Sequence, residues 1–381
     1  MQSLAIPSII LLLLTSSTVG YLVPHPPGKY NVTLTTGTLV DHTRKDPYAA
    51  SPTPRALMVS VFQPATCDST VPVPYMPNKT AEYQDIALQE TFNITADFTP
   101  ILREAQLPVC PDEHSSSPHL AHESILIFEP GYSIPRFYYN MLCSALASEG
   151  FTVVSIDHPF DANILVYPDG HAVYNNATIL DSPTWDEYER AADASFVIDQ
   201  LGNASAIASL LPVRGPRVFK TDRVAMVGHS VGGASSVVAA KQDHRIRAAV
   251  NWDGTIFGSP PLDGLDQPVL FLTHDNTTDP SWLEAWLALK GPKLVSRVAN
   301  TTHQTFSDIP AILDAAGQST EQFEGLLGTI APQEMLSILV AYTTTWVEAA
   351  FTPNFGLYVP LMQVLGSAAF PEVKLLLRGN F

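Results

Sequence analysis

The sequence predicts an α/β fold: a mostly parallel central sheet with helices on both faces. Three observations carry this. The chain has 381 residues, 46% of them hydrophobic and 15% charged, so it can bury a large core and is not disordered as a whole. From Ser124 onward, short unbroken apolar runs alternate with helix-length segments, as parallel strands covered on both faces require. Within that region, Gly228-His229-Ser230-Val231-Gly232 joins one apolar run to a small-residue helix through a tight turn. No internal repeat is visible.

The elements follow in order. Residues 1–20 read as a secretory signal peptide: Ile9 to Leu14 is apolar and small residues lead to Gly20, although no basic residue precedes the run. The run is much shorter than the roughly 20 apolar residues that span a bilayer. Residues 21–123 read as an N-terminal elaboration of strands and Pro-rich connections. In it, Val32-x-Leu34 and Leu57-x-Val59-x-Val61 alternate as half-buried strands do, and Ala81–Leu88 fits a short helix. A polar His/Ser/Pro stretch ends near Ser124 and reads as a surface insertion. Residues 124–381 read as the α/β core. Its expected strands are Ile125–Phe128, Phe151–Ile156, Arg223–Val227, Ala248–Trp252, Val269–Thr273 and Lys293–Ala299. The expected helices are Tyr138–Glu149, Trp185–Leu201, Gly232–Lys241, Ser281–Leu289 and Pro332–Phe351, the last with its Pro in the first turn. The apolar segment Phe351–Leu377, with Phe355, Leu357, Tyr358, Val359, Leu361 and Met362, is expected to pack into the core. A transient lipid-surface contact is its second reading.

The net charge of −17 argues against nucleic acid and anionic membrane surfaces as partners. Asn31, Asn78, Asn93, Asn176, Asn203, Asn276 and Asn300 each begin an Asn-x-Ser/Thr sequon. Chance would place about two such sites in this composition, so the excess fits a glycosylated, secreted, extracellular protein. Three cysteines are too few for a disulfide-built scaffold. Cys67 and Cys110 flank one polar segment and are the candidate disulfide, whereas Cys143 lies in an apolar helical stretch and reads as a buried thiol.

The chemistry centres on Ser230. A G-x-S-x-G turn between a strand and a helix is a nucleophile elbow: it strains the serine backbone and lifts the hydroxyl above the sheet. The Val231 N–H opens the following helix and can face an oxyanion. A serine needs a base, and the base needs an orienting carboxylate. In the α/β-hydrolase fold the chain order is Ser, acid, His. Of eleven histidines, only His244, His274 and His303 follow Ser230. His244 sits in a charged stretch and His274 directly ends a strand. His303 lies in a polar loop after the segment Lys293–Ala299, where the base is expected. Asp253 and Asp275 both end strands at the active-site face, and position alone does not separate them. Asp157 reads as structural. Glu129-Pro130-Gly131-Tyr132 follows an early strand, so the Tyr132 N–H is the candidate second oxyanion donor. No zinc motif, dinucleotide fingerprint or P-loop is present, and His114–His122 reads as a solvated loop. No metal or cofactor is expected.

With these residues in hand, the chain resembles the plasma-type platelet-activating-factor acetylhydrolases, secreted α/β-hydrolases that act as calcium-independent phospholipases. The matching segments are Gly28-Lys29-Tyr30 with Asp41-His42-Thr43, and Gly131 with Arg136. Leu146-Ala147-Ser148-x-Gly150-Phe151 follows, then Gly228-His229-Ser230-x-Gly232-Gly233, Asp253, and His303-Gln304-x-Phe306-x-Asp308. The resemblance implies Asp253 as the acid, and Tyr132 and Val231 as oxyanion donors. The chain departs from the family in having Pro130-Gly131 where His-Gly is usual, and Gly254-Thr255 after the acid where an aromatic is common.

The implied activity is hydrolysis of the sn-2 ester of short-chain or oxidised glycerophospholipids through Ser230, Asp253 and His303. Two rivals stand beside it. One is a general carboxylesterase, lipase or polyester hydrolase with the same triad. The other is a catalytically silent α/β-hydrolase fold used for binding.

Overall fold

The computed structural model describes residues 20–92, 101–112, 115–117, 123–176, 179, 183–257, 264–275, 279–364 and 368–380. The expected signal segment before Gly20, the sequons at Asn93 and Asn276, and most of His114–His122 lie outside them.

The strands are β1 (Tyr21–Leu22), β2 (Asn31–Lys45), β3 (Pro54–Ala65), β4 (Val71–Pro74), β5 (Ala105–Val109), β6 (Ser124–Glu129) and β7 (Phe151–Asp157). They continue with β8 (Ile164–Val166), β9 (Ala172–Tyr174), β10 (Val224–His229), β11 (Ile246–Trp252), β12 (Val269–Thr273), β13 (Lys293–Val298) and β14 (Val373–Gly379). The helices are α1 (Asn78–Phe92), α2 (Asn140–Ser148), α3 (Pro183–Leu201), α4 (Ala204–Leu210) and α5 (Val231–Gln242). After them come α6 (Pro280–Ala288), α7 (Ile309–Ala315), α8 (Glu324–Leu327), α9 (Pro332–Ala350) and α10 (Val359–Val364).

Nine strands form the main sheet in the order β14-β13-β12-β11-β10-β6-β7-β3-β2. The run from β7 to β13 is parallel. Antiparallel strands close both edges: β3 and β2 beyond β7, and β14 beyond β13. Alternate residues of the central strands feed two cores. Leu126, Val153 and Val227 join α2 and α9 on one face. Ile125, Val154 and Met226 join α3, α5 and α6 on the other. Burying each such side chain is worth about 1.5–3 kcal/mol, which explains why these strands carry no polar alternation. Strand order reverses direction between β6 and β10, and in open α/β sheets that switch point opens a crevice at the strands' carboxyl ends. The loops after β6 and β10 carry Gly131 and Ser230.

Several expectations change. Leu57 to Val61 was expected to be half-buried, yet Leu57, Val59 and Val61 and their alternates Met58 and Ser60 are all buried. The reason is that β3 lies inside the sheet, between β7 and β2, with α2 packed across it. The N-terminal region thus contributes strands to the main sheet, and it also builds a small sheet of order β1-β5-β4. Cys67 and Cys110 are joined by a disulfide across 43 residues of sequence, a closure worth about 4 kcal/mol in the chain-entropy account. Cys143 is a buried thiol.

The core-packing expectation for Phe351–Leu377 is corrected in part. Met362 is buried and Phe355 packs edge-on against Trp346. Leu357 and Leu361, however, are 72% and 46% exposed, and Leu375, Leu376 and Leu377 on β14 also face outward. One side of the Phe355–Tyr358 turn and of α10 packs on α9, which leaves the other side open. The side chain of Val359 is outside the described residues.

Candidate active site

Ser230 follows β10 directly and caps α5, with φ 58° and ψ −131°. Its N–H is fixed by the Trp252 carbonyl at 2.8 Å. The turn is feasible only because its flanks lack side chains. A Cβ on Gly228 would stand 2.4 Å from the Gly232 carbonyl, and one on Gly232 would stand 2.3 Å from the Glu129 carbonyl. Val231 opens α5, so its N–H belongs to the first turn, which has no acceptor within the helix.

His303 begins a 3-10 turn (His303–Phe306) after β13, stabilised by a capping box between Thr302 and Thr305. Ser230 Oγ donates to His303 Nε2 at 3.0 Å. His303 Nδ1 donates to Asp253 Oδ2 at 2.6 Å. The three predicted residues therefore form one hydrogen-bonded chain. Asp253 sits just past β11 with φ 57°, pinned by its N–H to the Leu272 carbonyl at 2.8 Å. Burial alone would push its carboxyl up. The hydrogen bonds from His274 and His303 outweigh that and hold it well below the usual carboxylate range.

Asp275 is not in this chain. It accepts from the Asn300 N–H at 3.2 Å and lies 3.7 Å from the Arg297 guanidinium. His244 is exposed. His274, the other strand-end histidine after Ser230, donates through its Nδ1 to both Asp253 oxygens, at 2.7 and 2.8 Å. Asp157 has the structural role expected of it: it accepts from the Arg136 backbone at 2.6 Å and ion-pairs with the buried guanidinium of the same residue.

The loop Gly131–Ile134 faces the elbow. A Cβ on Gly131 would lie 3.4 Å from Ser230 Cβ, so Tyr132 begins the stretch beside the nucleophile. Tyr139, which sequence reasoning passed over, ties loop and elbow together. Its hydroxyl accepts from the Gly131 N–H at 3.1 Å and lies 2.8 Å from His229 Nδ1. Burial and the neighbouring His303 push His229 well below the ordinary imidazole value, so it stays neutral. Its ring stands 4.6 Å from that of His303 and stacks on Phe306 at 6.0 Å.

Behind the loop lies a buried ionic network that no local motif announces. Arg190 donates to the Pro130 carbonyl at 2.7 Å and grips Asp161 with two bonds of 2.6 and 2.8 Å. His158 bridges Glu129 at 2.5 Å and Asp193 at 2.7 Å. Arg55 completes it with three bonds to Asp193 and one to Asp46. Burial works against the His158 imidazolium, but the Glu129 carboxylate and the bonds to Asp193 and Glu129 overcome it and push its pKa to about 9. The last residue of the His303-Gln304-x-Phe306-x-Asp308 segment also has a visible task. Asp308 accepts from the Met141 and Leu142 N–H groups at the start of α2, at 2.7 and 3.2 Å, and so anchors the His303 turn. The free signal for it was the position of an Asp just past the histidine turn.

This set of groups joins a hydroxyl, an imidazole and a carboxylate in one hydrogen-bonded chain. The profile of the family described as platelet-activating factor acetylhydrolase, isoform II, matches residues 217–351, which include Ser230, Asp253 and His303. A probable 1-alkyl-2-acetylglycerophosphocholine esterase of Arthroderma benhamiae is 29% identical over 93% of this chain and 94% of its own. The chain is thus similar to the platelet-activating factor acetylhydrolase family, over its central part by the family profile and along most of its length by the Arthroderma relative. It is a carboxylic ester hydrolase. The platelet-activating factor acetylhydrolase of Cavia porcellus is 21% identical over 65% of this chain and 62% of its own. Among solved structures, a ferulic acid esterase from Streptomyces cinnamoneus superposes with a TM-score of 0.74 and 27% identity. It covers 94% of this chain and 100% of its own.

Proposed function

We propose that this chain is a secreted serine esterase that hydrolyses the sn-2 ester of glycerophospholipids with short or oxidised acyl chains. The observation that carries the reading is the hydrogen-bonded chain Ser230–His303–Asp253, at 3.0 and 2.6 Å. Ser230 Oγ attacks the ester carbonyl while His303 Nε2 takes its proton. Asp253 holds the imidazole tautomer and stabilises the imidazolium. The N–H groups of Val231 and Tyr132 receive the oxyanion, each such donor being worth about 3 kcal/mol. The tetrahedral intermediate collapses, the lysophospholipid alcohol leaves with the His303 proton, and an acyl-Ser230 ester remains. Water, deprotonated by His303, then releases the acid. A zwitterionic choline head suits a chain of net charge −17 better than an anionic head does.

Secretion is supported by the apolar run Ile9–Leu14, the Cys67–Cys110 disulfide and the sequons. Of the described sequons, Asn78, Asn203 and Asn300 are exposed, and Asn31 and Asn176 are half-buried. Asn203 uses its Oδ1 to cap α4, accepting from Ser205 and Ala206 N–H, which leaves Nδ2 for a glycan.

A second reading, a carboxylesterase of broader or aromatic-acid specificity, is favoured by the full-length likeness to the ferulic acid esterase. One panel separates the two: 1-alkyl-2-acetylglycerophosphocholine, p-nitrophenyl esters of increasing chain length and a feruloyl ester, each with Ser230→Ala as control. The proposal expects the acetyl phospholipid to have the highest kcat/KM. A feruloyl or long-chain optimum overturns it. Absence of fluorophosphonate labelling would instead favour a binding protein. A mass decrease on enzymatic deglycosylation of protein from the culture medium is expected, and protein retained unglycosylated in the cell would overturn secretion.

A further inference from the structure

Asp253 serves two imidazoles. Its Oδ2 accepts from His303 Nδ1 at 2.6 Å and from His274 Nδ1 at 2.7 Å. Its Oδ1 accepts from His274 Nδ1 at 2.8 Å, the His274 N–H at 3.0 Å and the Thr273 hydroxyl at 3.0 Å. A carboxylate offers about four lone-pair sites, so this one is saturated, and two of its four donors belong to His274. The acid of a serine triad needs a single imidazole partner; the second has no place in the mechanism above.

We propose that His274 is a positioning residue that shares Asp253 with His303, lowers the proton affinity of His303, and so keeps the base unprotonated further into the acid range. The inference rests on the triad reading of the preceding section. Two effects act with the same sign. First, the His274 donors draw on the carboxylate charge that would otherwise stabilise a protonated His303. Second, a protonated His274 places a like charge beside it, with ring centroids 6.4 Å apart. His274 does accept a proton more readily than a free imidazole, because of its hydrogen bond to Asp253 and the further charge of Asp275. Among the described residues, charged and titratable groups from several elements face it. They are Asp253 from the end of β11, Asp275 next to it in sequence, and His303 from the turn after β13. Glu324 at the start of α8 lines the same open surface hollow as His274. Arg297 is engaged with Asp275, and His229 lies beyond His303. With a quarter of its side chain exposed, His274 exchanges protons with solvent. It acts through Asp253 and is a positioning residue, not a catalytic one.

The test is the pH dependence of kcat/KM on p-nitrophenyl acetate for the wild type, His274→Ala and His274→Asn. The last keeps a neutral N–H donor and loses the charge. In His274→Ala the acid limb should move up by about 0.5–1 pH unit. One unit below the wild-type midpoint, activity relative to plateau then falls about three- to nine-fold. His274→Asn should shift by less, in the same direction. A uniform loss at every pH with the acid limb unmoved would mean a purely structural role and overturns the proposal, as does an unchanged profile. The His303 imidazole titration, followed by NMR in Ser230→Ala with and without His274→Asn, reads the same shift without turnover. It should rise when His274 is removed, and an unmoved titration overturns the proposal. Full activity of Ser230→Ala would sink the triad reading instead, so the two failures are distinct.

Discussion

Ser230 and Pro130 end neighbouring strands of one sheet and face each other across the site, yet they are held by different physics. The elbow is built from contiguous residues. Gly228 and Gly232 give room, the positive φ of Ser230 aims the hydroxyl, and one backbone bond to Trp252 locks it. None of these terms depends on charge. The loop after β6, proposed above to receive the oxyanion, is held from behind by Arg190, His158, Asp161, Asp193 and Arg55, drawn from segments scattered between Arg55 and Asp193. All of these are buried. The elbow is therefore rigid by sterics, whereas the loop is placed by ions whose removal leaves uncompensated buried charge. A nucleophile must be strained locally. A loop that receives an oxyanion must be placed relative to a distant atom, and only long-range contacts can do that.

Breaking the elbow side should have the largest effect. Ser230→Ala should lower kcat by about 10⁴- to 10⁶-fold with the fold intact, checked by steady-state kinetics beside circular dichroism. Breaking the loop side should cost both stability and rate. Arg190→Leu leaves Asp161 unpaired and frees the Pro130 carbonyl, so urea denaturation should register a loss of about 3–5 kcal/mol. kcat should fall about 10²-fold with KM little changed. An Arg190→Leu enzyme with full kcat would show that the loop holds itself.

A pH titration separates the regions without mutation. Burial opposes the His158 imidazolium, but Glu129 and Asp193 raise its folded pKa to about 9. A raised value stabilises the fold fully below the unfolded imidazole pKa near 6.5 and loses that contribution as pH rises through about 9. Denaturation midpoints should therefore fall between pH 7 and 10, by at most about 3 kcal/mol. His158→Gln should flatten the dependence. The smallest effect is expected where the regions touch. The Cβ of Gly232→Ala would press on the Glu129 carbonyl at 2.3 Å, costing about 1–3 kcal/mol by overpacking and lowering kcat.

The same contrast governs what could be read in advance. The elbow, the central strands and the position of His303 were legible, because each is a pattern within a few neighbouring residues. The choice between Asp253 and Asp275 was open on position alone. It turns on loop paths: Asp275 is taken up by the Asn300 N–H and Arg297, while the positive φ of Asp253 turns its carboxylate to His303. The exposure of Leu357 and Leu361 was misjudged, since hydropathy does not say which side of a short helix finds a partner. Tyr139 and the Arg190 network gave no signal, because a buried ion pair looks like a surface charge until its partner is known.

Sequence by itself determined that this chain folds as a mostly parallel α/β sheet with a nucleophile elbow after a central strand. Those properties follow from local sterics and from the period of apolar residues. The tertiary structure alone decided which carboxylate meets the base, that a second imidazole shares it, and that five buried charged groups stand behind the loop after β6. Each of these depends on atoms far apart in the chain coming within about 3 Å, a condition that only the packed fold imposes.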